Sequence, residues 1–291
     1  MPSLRHRPLT AVFFLSPWII GLVVFLLGPI IASLFLSFTH YDGIGSAEFT
    51  GLANYIEMLQ DKTLVASLKV TLIFAIISLP VGSMIALAMA ILLNQKVKGR
   101  SFYRSCLYLP SVVPIVASSV AWIWIFKGDS SGLINQFLAI FHIQGPLWLG
   151  DPHWALPALI IMSFWSLGNP MLIYLAGLQN IPESLYESAE IDGATELEKF
   201  IHITLPILSP TIFFNVVIGI IQVFQYFVPA YVMTSGGPQN STMFYSLYTY
   251  QTAFDDFRMG YASSLAWLLF MIVLAASSMA FYSSKKLVHY S

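Results

Sequence analysis

Charge is scarce in this chain. Only 9% of its 291 residues are Asp, Glu, Lys or Arg, where soluble domains carry about 25%. That shortage excludes an ordinary soluble domain. A hydrophobic content of 57% and a mean hydropathy of +0.75 indicate a polytopic membrane protein instead. Thirteen Lys and Arg against 14 Asp and Glu leave a net charge of −1, which gives no basic footprint for nucleic acid. One cysteine, Cys106, excludes an internal disulfide framework and a Cys-rich metal site. Its expected role is that of a small buried apolar residue. His142, His153 and His202 are scattered, so a metal site has no support. No Gly-x-x-x-x-Gly-Lys-Ser/Thr run occurs, so the chain has no P-loop for ATP. Ser, His and Asp never gather on one membrane face at nucleophile spacing, and no enzyme is expected.

Long apolar runs are abundant. The first extends from Leu9 to Phe38 behind Arg5 and Arg7 and could pass for a secretory signal. A signal core is about 7–15 residues long and ends in a small-residue cleavage site. This run is longer and has no clean site, so it reads as a retained first span. Six segments reach the roughly 20 residues a membrane helix needs: Thr10–Phe38, Val70–Leu93, Ser105–Phe126, His153–Leu178, Leu205–Thr234 and Gly260–Ser284. The expected fold is all-α, a multi-pass protein of six transmembrane helices in one permease domain over residues 1–291.

Orientation follows from the cations. Arg5, Arg7, Lys96, Lys98, Arg100, Arg104, Lys199, Lys285 and Lys286 fall on one side. Lys62, Lys127 and Arg258 fall on the other, with Lys69 at a boundary. The richer side is read as cytoplasmic, and both termini lie there, as an even number of spans requires. The outer loops are then 39–69, 127–152 and 235–259. The basic cluster from Lys96 to Arg104 reads as a topology determinant with lipid headgroup contact, and contact with an ATPase is the rival reading. Six of the 14 acidic residues fall between Glu183 and Glu198 and single out one cytoplasmic loop. No span interior holds an Asp, Glu, Lys or Arg. Proton-driven carriers place such groups inside the membrane as relays, so energy for uphill transport is expected from a partner. Sodium coupling through carbonyls and hydroxyls stays open.

The acidic loop has its own pattern. Pro182 and Glu183 open a short helix in which Leu185, Tyr186, Ala189 and Ile191 alternate with Glu187, Ser188 and Glu190. Asp192-Gly193 reads as a turn. A second helix is expected from Ala194, with Leu197, Phe200, Ile201 and Ile203 on its apolar side, and Pro206 and Pro210 are expected to break or kink the chain. Such a helix–turn–helix suits insertion into a partner's groove.

These residues also carry a resemblance. Glu187-Ser188-Ala189-x-x-Asp192-Gly193-Ala194, followed by Phe200, Ile203, Leu205-Pro206 and Pro210, resembles the "EAA" signature of ABC importer permeases. Ser188 is the one departure, standing where the family has Ala. Thr50-Gly51-Leu52-Ala53-Asn54-Tyr55, Thr234-Ser235-Gly236-Gly237-Pro238 and the run from Tyr250 to Ala262 are similar to segments of the carbohydrate-type subfamily of maltose and glycerol-3-phosphate permeases. The resemblance implies a type I importer permease fold in a bacterial or archaeal inner membrane. It implies that Tyr186, Glu187, Ser188, Ala189, Asp192, Gly193, Ala194, Phe200, Leu205 and Pro206 form the ATPase-coupling loop. It also implies four other partner chains, namely a second homologous permease, two ATPase subunits and an extracytoplasmic solute-binding protein. ATP and magnesium would bind in the ATPase, with no cofactor in this chain. Transport would proceed by alternating access, with carbohydrate as the solute. The rival is a self-contained secondary carrier or channel.

Polar residues inside spans are candidates for the solute path. Asn215, Gly219, Gln222 and Tyr226 recur at one helix face, with Gln225 beside them. Ser166, Asn169 and Pro170 cluster mid-segment, and Gly168 interrupts the fourth apolar run. Interhelical hydrogen bonding is the other role open to these amides and hydroxyls.

Overall fold

The computed structural model describes residues 8–95 and 98–287, with side chains over 12–95 and 98–284. Arg5, Arg7 and Lys96, and the side chains of Lys285 and Lys286, lie outside the described residues. In chain order the helices are α1 (Pro8–Gly21), α2 (Gly28–Leu36), α3 (Ala53–Met58), α4 (Lys62–Asn94), α5 (Arg100–Tyr108), α6 (Ile115–Ile125), α7 (Leu133–Ile140) and α8 (Pro152–Ser163). They continue as α9 (Gly168–Gln179), α10 (Glu183–Ile191), α11 (Glu196–Lys199), α12 (Leu205–Phe224), α13 (Val228–Met233), α14 (Tyr245–Phe254) and α15 (Met259–Leu287). The strands β1 (Thr39–His40) and β2 (Glu48–Phe49) pair antiparallel, Thr39 opposite Phe49.

Among the described residues, Val12–Leu36, Lys62–Asn94, Glu196–Met233 and Met259–Ser284 are long and apolar enough to cross a membrane. Arg100–Val112 with Ile115–Ile125 is bent by 95°, and Pro152–Ser166 with Gly168–Gln179 by 47°. The count is four, or six if each bent pair is one span. The spans expected at 105–126 and 153–178 therefore each contain a break at which the helix bends. In the first, Pro114 has no N–H to extend a helix, and Val113 before it is extended (ψ 129°). The second expected span began at Val70, but its helix starts at Lys62, because the polar turns before an apolar run can be helical too. Pro206 and Pro210 do not break the chain. A π-helical stretch, Phe200–Thr204, leads into α12 without interruption; Pro206 stands in the first turn of α12, where its missing N–H costs little, and Pro210 lies inside the helix.

The chain forms two compact units, one of Met1–Asp61 with Thr249–Leu268 and one of Lys62–Tyr248 with Leu269–Ser291. In the first, a π-helical segment (Leu22–Leu27) joins α1 to α2. The buried amide of Asn54 then donates to the carbonyls of Ser37 and Thr39, both at 2.9 Å. Tyr55 donates to Ser37 Oγ at 2.9 Å. The Asn-Tyr pair thus ties the end of the first rod to the ribbon. Arg258 grips Glu57 Oε1 and Oε2 at 2.6 and 2.7 Å and lies 4.5 Å from the Tyr261 ring centroid. Gly260 donates to Tyr41 O at 3.0 Å, and a Cβ on it would meet Thr39 O at 2.1 Å, so only glycine fits there.

In the second unit α4 is the central strut. Its buried face, Ser67, Thr71, Phe74, Ser78, Gly82, Ala86 and Ala90, repeats every three or four residues and is mostly small. Small side chains let neighbouring helices approach, as membrane helices require in place of a hydrophobic drive. α9 and α12 pack on it. Gly177 meets Leu208 and Thr211, and Gly219 meets Leu79, at distances that leave no room for a Cβ. Trp148 sits at the end of an expected outer loop next to α8, where a tryptophan at the membrane–water interface is the ordinary case. It is buried, and its indole N–H donates to Asn135 at 2.7 Å. Cys106 is exposed, not buried.

Candidate functional site

Three helix interruptions in the second unit line one cavity of about 580 Å³. They are Pro110–Val113, Phe164–Leu167 and Gln225–Phe227. Regular helix stops at Phe224 and resumes at Val228, so the expected single helix over 205–234 is also interrupted. Interrupted backbone survives at membrane depth where it lines a cavity or finds other partners. Here Ser246 Oγ donates to Tyr226 O at 2.7 Å, and Ser111 Oγ accepts Gly168 N–H at 2.8 Å.

Six of the seven candidate pathway residues reach this cavity: Ser166, Asn169, Asn215, Gln222, Gln225 and Tyr226. Ser166, Asn169, Gln222 and Gln225 are exposed. Asn215 is buried and also donates to Pro170 O at 3.5 Å, so it acts as interhelical glue at the cavity wall. The Tyr226 ring lies 4.4 Å from Phe74 and 4.9 Å from Phe244, and its hydroxyl reaches Leu159 O at 3.4 Å. Gly168 is the exception. It is buried, does not line the cavity, and a Cβ there would meet Ser111 and Tyr108 under 3 Å, so it serves packing. The sequence reading missed Ser78, Ser83, Ser111, Ser118 and Ser163, which add hydroxyls to the wall. Their signal was polarity inside apolar runs, the same that flagged Asn215. Among the described residues, no Asp, Glu, Lys, Arg or His lines the cavity.

The acidic loop is built by two caps. Gly193 has φ +78°, Ala194 N–H returns to Ala189 O at 2.9 Å and Gly193 N–H to Glu190 O at 3.0 Å. This double bond pattern closes α10 and demands a residue tolerant of positive φ. Ala194 belongs to the connector, and the second helix starts at Glu196, two residues later than expected. Thr195 caps it, accepting Glu198 N–H at 3.3 Å while Glu198 Oε2 accepts Thr195 N–H at 2.8 Å. Thr-x-x-Glu is a capping box legible in the sequence. Lys199, read only as a topogenic cation, is nearly buried and joins Glu190 at 2.9 Å and Glu196 at 2.6 Å, tying α10 to α11. Tyr186 packs with Ile203 onto the core of α4, α9 and α12, and its hydroxyl meets Thr204 at 2.8 Å. Ala189, Phe200, Leu205 and Pro206 are half-buried. Glu187, Ser188, Asp192 and Gly193 face out. So do Ile191, 87% exposed, and Leu197, 66% exposed. Ser188 Oγ bonds back to Ser184 O at 2.9 Å, so the departure from Ala is satisfied within its own helix.

A helical membrane chain with interrupted spans around a polar cavity and a firmly capped hinge loop is a permease. Residues 78–284 match the family "Binding-protein-dependent transport system inner membrane component", and the chain belongs to that family. It is 44% identical over 293 residues to the probable ABC transporter permease protein YesP of Bacillus subtilis (strain 168), covering 99% of this chain and 94% of that one. It is 35% identical to the lactose transport system permease protein LacF of Rhizobium radiobacter, covering 97% and 96%. Its fold matches a chain in the crystal structure of a bacterial alginate ABC transporter in complex with alginate pentasaccharide-bound periplasmic protein. There the TM-score is 0.85 at 24% identity over 98% and 97% of the two chains. The chain is thus a multi-pass membrane permease of the binding-protein-dependent ABC type.

Proposed function

We propose that this permease forms half of a carbohydrate path across the membrane and is driven by a separate ATPase. The observation that carries the reading is the neutral cavity, whose amides and hydroxyls suit sugar hydroxyls and whose exposed Trp165 suits a sugar's apolar face. A second homologous permease completes the path. Two ATPase subunits bind ATP and magnesium, and an extracytoplasmic binding protein delivers the solute. The loop of α10 and α11 engages the ATPase through Glu187, Asp192 and the exposed Ile191 and Leu197, while Tyr186 and Lys199 transmit its motion to the spans. Both termini are cytoplasmic, a reading supported by the cation distribution. The lactose and arabinooligosaccharide systems named among the relatives support the solute class.

The test is uptake by proteoliposomes holding the assembled complex, with neutral oligosaccharides and anionic sugars presented on their binding proteins. Uptake of a neutral sugar that needs ATP, the ATPase and the binding protein is expected. Uptake by this chain alone would overturn the reading.

A further inference from the structure

We propose that α5 carries a site for the phosphate of an anionic phospholipid, with Arg100 at its centre. The Arg100 guanidinium has two nitrogens, Nε and Nη2, buried from solvent without a hydrogen-bond partner. Arg100 as a whole is half-buried. An arginine is always charged, and covering two of its three nitrogens without a partner is unfavourable, so turning this fork outward onto an anion is favoured. Among the described residues none supplies one. The sequence from Lys62 to Gly128 contains no Asp or Glu, and Lys98, Arg100 and Arg104 are in no ion pair among the described residues.

The surroundings select the source. Lys98 and Arg104, on either side of Arg100 in the sequence, are exposed, and Arg104 stands one helical turn along from it. Phe102 and Tyr103 are 69% and 53% exposed on the same helix. Cations beside exposed aromatics are the composition of a helix seated at headgroup level. The 95° bend at Val113–Pro114 turns α5 away from α6, freeing it from the direction of the apolar helix that follows. A planar guanidinium holds phosphate through two parallel bonds, which a lysine cannot reproduce.

The full-length chain in detergent would be exposed to phosphatidylglycerol and phosphatidylcholine in equal amounts, and the retained lipids counted by native mass spectrometry. Preferential retention of phosphatidylglycerol is expected. Arg100→Gln should reduce it roughly tenfold, the worth of one charge-assisted hydrogen bond. Arg100→Lys should recover only part of that loss. Equal retention of the two lipids, or retention unchanged in Arg100→Gln, would overturn the site. Inorganic phosphate at millimolar concentration is the second arm. Failure to displace the lipid supports the headgroup, and displacement would overturn the lipid as source. If Arg100→Gln fails to fold, wild-type thermal stability decides. A rise with phosphatidylglycerol but not with phosphatidylcholine supports the site, and equal effects contradict it.

Discussion

Gly260→Ala is the sharpest test of the first unit. The Cβ it adds would stand 2.1 Å from Thr39 O and 3.1 Å from Tyr41 N. A carbon needs about 3.3 Å from a carbonyl oxygen, so one backbone must retreat by roughly 1.2 Å, and no rotamer change can relieve it. Thr39 O also accepts Asn54 at 2.9 Å, and Gly260 N–H bonds Tyr41 O at 3.0 Å. Retreat sacrifices one or both bonds, at about 1 kcal/mol each, on top of about 1–3 kcal/mol for overpacking. The expected loss is roughly 2–5 kcal/mol. A chain this long loses about 2–4 °C of melting temperature per kcal/mol, so Tm should fall by roughly 4–20 °C. Gly45→Ala is the control, because its Cβ meets only Asp42 Oδ1 at 3.7 Å. The measurement is thermal unfolding of the purified chain in detergent. Equal melting of the two variants would refute the reasoning.

Three further outcomes are expected. Thr195→Ala removes the cap of α11 at about 1 kcal/mol. It should leave the chain folded while lowering transport per ATP hydrolysed, read as the ratio of uptake to phosphate release. Ser188→Ala should change that ratio less than twofold, since the hydroxyl only bonds its own helix. The 129–131 turn should resist acid. The Ser131 hydroxyl, then the Lys127 ammonium, hold the Asp129 carboxyl down to about 2. A depressed carboxyl stabilises above its unfolded value of 3.8 and loses that contribution as pH falls through about 2. Hydrogen exchange at Gly132, whose N–H bonds Asp129 O at 3.1 Å, should therefore stay slow at pH 4 and quicken near pH 2, after correction for intrinsic exchange.

Much of the architecture was legible because membrane helices announce themselves by length and apolarity, and Asp192-Gly193 announced the hinge. The polar positions of α12 pointed to the cavity because polarity there needs a partner. What composition hid was tertiary. Gln225-Tyr226-Phe227 itself contains no helix breaker; Pro229 beyond it cannot bond Gln225 O, which opens the break, and tertiary contacts set its shape. The Tyr226 ring is taken up between Phe74 and Phe244, and Ser246 holds the Tyr226 carbonyl. Gly168 looked like a pathway residue and proved to be a close-packing one, a distinction that depends on Ser111, 57 residues away. Glu57 and Arg258 belong to segments 201 residues apart, and no local pattern joins them. Lys199 was visible as a charge, but its pairing with Glu190 depends on the hinge angle that brings α10 to α11.

The proposed path of the solute is the cavity between the helix breaks. Thiol labelling of Gln222→Cys tests it most directly, with Cys106→Ser removing the chain's own thiol. A bulky thiol reagent should abolish ATP-dependent uptake in the assembled transporter, and the transported sugar should slow the labelling. Complete labelling that leaves uptake intact would contradict the claim.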